Sequence, residues 1–235
     1  MGILPDFAHS GAVFAVESQN IVGYAGNAMD DVYGAVLVTA QFLGVGADEI
    51  PLESVVPADP TTAAWSVQLS YLTPDGGNDD DHNFLWDGEK WVDANTTAPV
   101  SGVMIPAGQG LWVNNGTGVA MDLRSSGEVS KKDVAFALDE NYGAVGTGNP
   151  FPVPVALEDV VPSPADALAW SVQASYLTPD GGNDDDHNFL WDGEKWVDAN
   201  TTAPVSGVMI PAGQGLWVNN GSGLAGTLNI PAPGL

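Results

Sequence analysis

The sequence predicts an all-β protein: two tandem β-sandwich or barrel-like repeat units, each built of short antiparallel strands. Two observations carry this expectation. Trp65 to Gly116 recurs as Trp170 to Gly221 at a constant offset of 105 positions, with only Leu69 against Ala174 differing. Self-similarity at a fixed period marks one structural unit used more than once. Helix signals are also few. Gly, Pro, Asn, Thr and Val dominate, apolar residues alternate at period two, and turn signals follow at close intervals, as in sandwiches and small barrels.

Taken in order, the chain divides into an N-terminal extension, residues 1–18, a first unit, 19–126, and a second, 127–235. The extension has no full counterpart in the second unit and contains an apolar run, Gly11, Ala12, Val13, Phe14, Ala15 and Val16. That run reads as an unpaired strand. Further strands are expected at 21–26, 34–42, 64–72, 83–86, 90–93, 102–105, 110–114 and 119–124. The second unit offers 134–138, 143–146, 169–177, 188–191, 195–198, 207–210, 215–219 and 224–230. A single helical turn is expected at 52–56 and again at 157–161.

Three turns specify the architecture. Asp87-Gly88 supplies the positive φ angles of a tight hairpin. Pro106 cannot donate to a ladder, and glycines follow it at 108 and 110. Asn114-Asn115-Gly116 closes the next strand. All three recur in the second unit.

Charge limits the partners. Thirty acidic residues against five basic ones give a net charge of −25, which repels nucleic acid and anionic membrane surfaces. Cysteine is absent, which removes disulfides and thiol chemistry. No stretch approaches the roughly 18 apolar residues that span a bilayer. The opening residues lack the basic region and apolar core of a signal peptide, so an exported protein would already be in its mature form.

The acidic loop 73–83, repeated at 178–188, is the densest cluster of oxygen ligands. Asp75, Asp79, Asp80 and Asp81, with Asp180, Asp184, Asp185 and Asp186, are the candidate ligands for calcium, a hard cation that takes six to eight oxygens. The match to an EF-hand fails, because Phe84 stands where glycine is needed and Lys90 where the bidentate Glu belongs. The competing reading is a solvated loop tip on a hairpin. No organic cofactor is indicated.

Catalytic apparatus is not evident. Histidine occurs only at His9, His82 and His187, and there is no nucleophile elbow, Walker loop or dinucleotide fingerprint. The expectation is that the protein is not an enzyme. All eight tryptophans fall inside the repeat. Trp86, Trp91, Trp191 and Trp196 flank hairpins and offer a sugar-stacking platform. Against this, tryptophan is a large core filler, and Trp65 and Trp112 sit in alternating runs. Asn95, Asn115, Asn200 and Asn220 each begin an N-x-[ST] glycosylation pattern.

The order of Ile21-Val22-Gly23-Tyr24, Phe42-Leu43-Gly44-Val45, the Trp86–Trp91 hairpin and Ala107–Val113 resembles a poorly characterised group of secreted bacterial tandem-repeat β-domain proteins. The resemblance implies an extracellular or cell-surface location and no established activity. The second unit lacks the full opening and the FxGV strand. The function expected is a structural subunit, a homopolymer formed when residues 11–16 add as a strand to a neighbouring copy. The alternative is a bivalent carbohydrate-binding module that takes a polysaccharide.

Overall fold

The computed structural model describes residues 22–29, 35–39, 49–71, 82–106, 109–128, 132–138, 144–151, 153–176 and 187–233. The first half contributes β1 (Val22–Met29), β2 (Ala35–Thr39), β3 (Glu49–Pro51), β4 (Val55–Pro57), β5 (Val67–Tyr71), β6 (His82–Trp86), β7 (Trp91–Asp93), β8 (Met104–Pro106), β9 (Gly110–Asn115) and β10 (Met121–Glu128). The second contributes β11 (Val134–Leu138), β12 (Ala144–Gly148), β13 (Val155–Ala156), β14 (Val161–Ser163), β15 (Val172–Tyr176), β16 (His187–Trp191), β17 (Trp196–Asp198), β18 (Met209–Ile210), β19 (Gly215–Asn220) and β20 (Gly226–Ile230).

The fold is all-β, and every sheet draws its strands from one half of the chain. The first half forms sheets β1-β10-β4, β2-β9-β5-β6-β7 and β3-β8. The second repeats them as β11-β20-β14, β12-β19-β15-β16-β17 and β13-β18. All pairings are antiparallel, and none of these sheets closes into a barrel.

Register is the same in both halves even where the sequences differ. Ala35 pairs with Asn114 and Ala144 with Asn219. Met29 pairs with Met121 and Leu138 with Gly226. The second half therefore has both opening strands, although it lacks the sequence opening that marks them in the first. For β2 and β12 the partner strands β9 and β19 are identical, whereas β1 and β11 keep one register although β10 and β20 share only the leucine Leu123/Leu228 over the paired stretch.

The helical turn expected at 52–56 is shorter, a 3-10 turn at Leu52–Ser54, matched by Leu157–Asp159. Short strands flank it. Their prolines (Pro51, Pro57, Pro162) demote such runs in any strand reading, which is why the sequence does not announce them. One turn of α-helix, α1 (Pro60–Ala63), follows β4. Proline opens it, and Asp59 caps it by accepting from the Thr62 N–H at 3.1 Å and the Thr62 hydroxyl at 2.7 Å.

Each half buries its own core. Ile50, Leu52, Val55, Val67, Leu69, Phe84, Trp86, Trp91, Ile105, Leu111, Val113 and Leu123 bring residues of all three sheets of the first half into one cluster. A separate cluster in the second half contains the counterparts of most of them. The strict inside–outside alternation of β5 and β11 is what a half-buried strand requires.

The two five-stranded sheets meet where β2 and β9 pack against β12 and β19. Equivalent strands thus face each other, as in an isologous dimer interface, here within one chain. In this contact Trp112, which remains 37% exposed, lies against Trp217, its counterpart in the repeat.

Candidate functional site

Three connections meet at one end of the five-stranded sheet: the 64–66 segment entering β5, the Asp87–Lys90 hairpin tip, and the turn after β9. Backbone hydrogen bonds lock them together. The Trp65 N–H donates to the Trp86 carbonyl at 2.6 Å, and the Gly116 N–H to the Ser66 carbonyl at 2.8 Å. The second half repeats both bonds, from Trp170 to Trp191 at 2.6 Å and from Gly221 to Ser171 at 2.8 Å.

The hairpin tip is built by Asp87. One carboxylate oxygen accepts from the Glu89 and Lys90 N–H groups, each at 2.8 Å. These bonds hold the Asp87 carboxyl below its ordinary range, with the Glu89 amide contributing most. Gly88 sits at φ 111°, and a Cβ there would lie 3.2 Å from the Ala64 Cβ. Glycine therefore lets the tip pack against the segment that carries Trp65.

Trp65 itself is unusual in two ways. It is 55% exposed, and its backbone is left-handed at φ 61°. Trp170 repeats this at 56% and φ 58°. The only other described non-glycine residues with positive φ, Thr97 and Thr202, are polar residues in turns organised by Asp93 and Asp198.

The tryptophans thus divide differently from the sequence expectation. Trp86, Trp91, Trp191 and Trp196 do not form a sugar-stacking platform. They are buried to 4% exposure or less, and each indole N–H donates to a backbone carbonyl: Trp86 to Pro60, Trp91 to Val55, Trp191 to Ala165, Trp196 to Val160. Within each hairpin the two rings meet edge to face, with centroids 5.3 and 5.5 Å apart. Conversely, Trp65 and Trp112, which alternation assigns to the core, lie at the surface and at the contact between halves. Trp65 has the parity of Val67, Leu69 and Tyr71, but the strand begins only at Val67 and the left-handed turn takes the indole outward.

Two of the four glycosylation patterns are also corrected. Asn115 and Asn220 are buried, and their amide groups donate to the Val119 and Leu224 carbonyls at 2.9 and 2.8 Å. They are turn-forming residues with no room for a glycan. Asn95 and Asn200 are exposed.

The acidic loops spring from the β5–β6 and β15–β16 hairpins, whose last pairs are Tyr71–His82 and Tyr176–His187. The rings stack at 4.1 Å in both. All eight candidate calcium ligands, Asp75, Asp79, Asp80, Asp81, Asp180, Asp184, Asp185 and Asp186, lie outside the described residues, as does the run 11–16. Among the described residues no three His, Asp or Glu side chains gather as a metal site would require. No helix among them is long and apolar enough to cross a membrane. Comparison with protein-family models, curated proteins and solved structures gives no match.

Proposed function

We propose that the protein is a non-enzymatic structural subunit, extracellular or on the cell surface, that self-associates by β-strand addition. The observation that carries this reading is the character of one sheet edge. Proteins blunt exposed edges with proline, charge or cover, because an open edge recruits another strand. Here β4 ends in Pro57 and β14 contains Pro162. A bridge from Val92 to Pro99 covers β7, and Pro51 and Pro106 interrupt the β3–β8 pair. Strands β2 and β12 pack at the contact between halves.

The outer edges of β1 and β11 differ. Among the described residues neither has a strand beyond it, and their sequences, VGYAGNAM and VAFAL, contain no proline and no charge. These two edges therefore carry neither of the usual devices, proline or charge, that discourage strand addition. The apolar run 11–16 is the strand that would be donated to such an edge in the next copy. Head-to-tail addition of this kind does not close, so it yields a filament. Calcium at the acidic loops would favour growth by reducing repulsion between copies of net charge −25.

The test is sedimentation and electron microscopy of the full chain and of residues 19–235, each with and without calcium, with melting curves as the control for folding. Polymers from the full chain and none from the equally stable truncated chain are expected. A full chain that stays monomeric in both conditions, or polymers from the truncated chain, would overturn the reading.

A further inference from the structure

We infer that Trp65 and Trp170 form two equivalent saccharide sites, each stacking one face of a neutral sugar ring on its exposed indole. The inference does not rest on self-association. It begins from a cost that folding leaves unexplained. A bulky residue with positive φ is a genuine outlier, and such outliers persist where the surroundings or a function require them. The surroundings require only the backbone. The bond from the Trp65 N–H to the Trp86 carbonyl, and its counterpart from Trp170 to Trp191, would be made equally by glycine, which adopts this conformation freely.

The side chain contributes little to packing in return. Trp65 and Trp170 are more than half exposed, and the contact between halves is made elsewhere, by Trp112 and Trp217. A strained, exposed tryptophan therefore stands at the same place in both halves.

Its setting selects the ligand. The hairpin tip beside it carries exposed Glu89 and Lys90, held in place by the Asp87 turn. The turn after β9 is tied to the neighbouring Ser66, and its Thr117 hydroxyl is engaged within the turn by the Asn115 side chain and the Val119 backbone. A flat apolar surface with hydrogen-bonding groups beside it suits a pyranose, which has a C–H face and a rim of hydroxyls. A protein partner would need a larger contiguous apolar area than one indole provides. Net charge −25 works against acidic sugars. Two equivalent sites on one chain make binding to a repeating polysaccharide bivalent, raising avidity by about 10²-fold or more over one site where both engage.

Affinity electrophoresis of the full chain tests this in native gels containing β-1,3-glucan, hydroxyethylcellulose, galactomannan or soluble starch, with alginate as the acidic control. Retardation by at least one neutral polymer and none by alginate is expected. The double variant Trp65→Gly/Trp170→Gly keeps a residue suited to the backbone and should migrate as in a gel without polysaccharide. Each single variant should bind at least ten-fold more weakly than the parent. Melting curves verify that the variants are folded, and Trp65→Ala/Trp170→Ala provides a second pair. Absence of retardation by all four neutral polymers, or a folded double variant retarded as strongly as the parent, would overturn the inference. Failure here leaves the polymerisation test untouched, because the two experiments read different surfaces.

Discussion

The indole rings of Trp112 and Trp217 meet edge to face, with centroids 5.8 Å apart and planes inclined by 64°. They are the same residue of the repeat, 105 positions apart. A self-complementary contact of this kind asks the same shape of both copies, so each half constrains the other.

That contact should be measurable as coupling. Aromatic pairs contribute about 0.5–1.5 kcal/mol beyond simple burial. Trp112→Ala and Trp217→Ala are therefore expected to be non-additive by about that amount in a double-mutant cycle read by urea denaturation. Strict additivity would mean that the two rings do not stabilise one another.

Replacing Trp65 or Trp170 by glycine should have the opposite character to a core substitution. Left-handed backbone costs a non-glycine residue about 1–2 kcal/mol. Glycine gives back about 0.5–1 kcal/mol through its freedom in the unfolded chain. The expected change is from none to a gain of about 1.5 kcal/mol per site. A loss above about 2 kcal/mol in urea denaturation would mean that the indole is part of the packing.

The buried tryptophans should respond as structural groups. Trp91→Phe and Trp196→Phe remove the donors to the Val55 and Val160 carbonyls, both bonds 2.7 Å long. A buried acceptor left alone costs about 1–3 kcal/mol. Calorimetry should show lowered melting temperatures for both variants.

The halves differ at Gly226, whose counterpart in the first half is Met121. A Cβ at Gly226 would stand 2.8 Å from the Ser163 carbonyl oxygen and 2.9 Å from the Leu168 Cδ1. Gly226→Ala is thus expected to destabilise by about 1–3 kcal/mol, the usual cost of overpacking. A melting temperature equal to the parent's would show that the 163–168 segment yields.

Acid should weaken the turns. Asp93 and Asp198 are held below the ordinary value of 3.8, first by the hydroxyls of Thr96 and Thr201 and then by their amides. A carboxyl whose folded pKa is depressed contributes stability above its unfolded pKa, and that stability is lost as pH falls through the folded value. Melting temperature should therefore fall as pH drops below about 4, and less steeply in Asp93→Asn/Asp198→Asn. An unchanged slope in the double variant would assign acid sensitivity to other carboxylates.

The all-β class, the duplication and most strands were legible in the sequence, because period-two alternation and Asp-Gly or Asn-Gly turns are local. The β6–β7 hairpin is an example: Asp87 and Gly88 form its tip through contacts within a few residues. Alternation also marked β5 and β11. It could not say which tryptophan faces the core. In β9, Leu111, Trp112 and Val113 are all apolar, since one face packs on the unit's own core and the other meets the second half.

Tertiary structure decided the rest. Trp86 and Trp91 became core residues because β4 and α1 bring carbonyls to their indole nitrogens from far along the chain. Asn115, a glycosylation pattern in sequence, became a buried turn anchor for Val119. Trp65 keeps the parity of a core residue, yet a left-handed backbone placed before the strand turns it to solvent. Local pattern carries the repeat, most of the strands and the charge. Which tryptophans are buried, and what lies exposed at the loop end, depended on contacts between distant residues that no local pattern encodes.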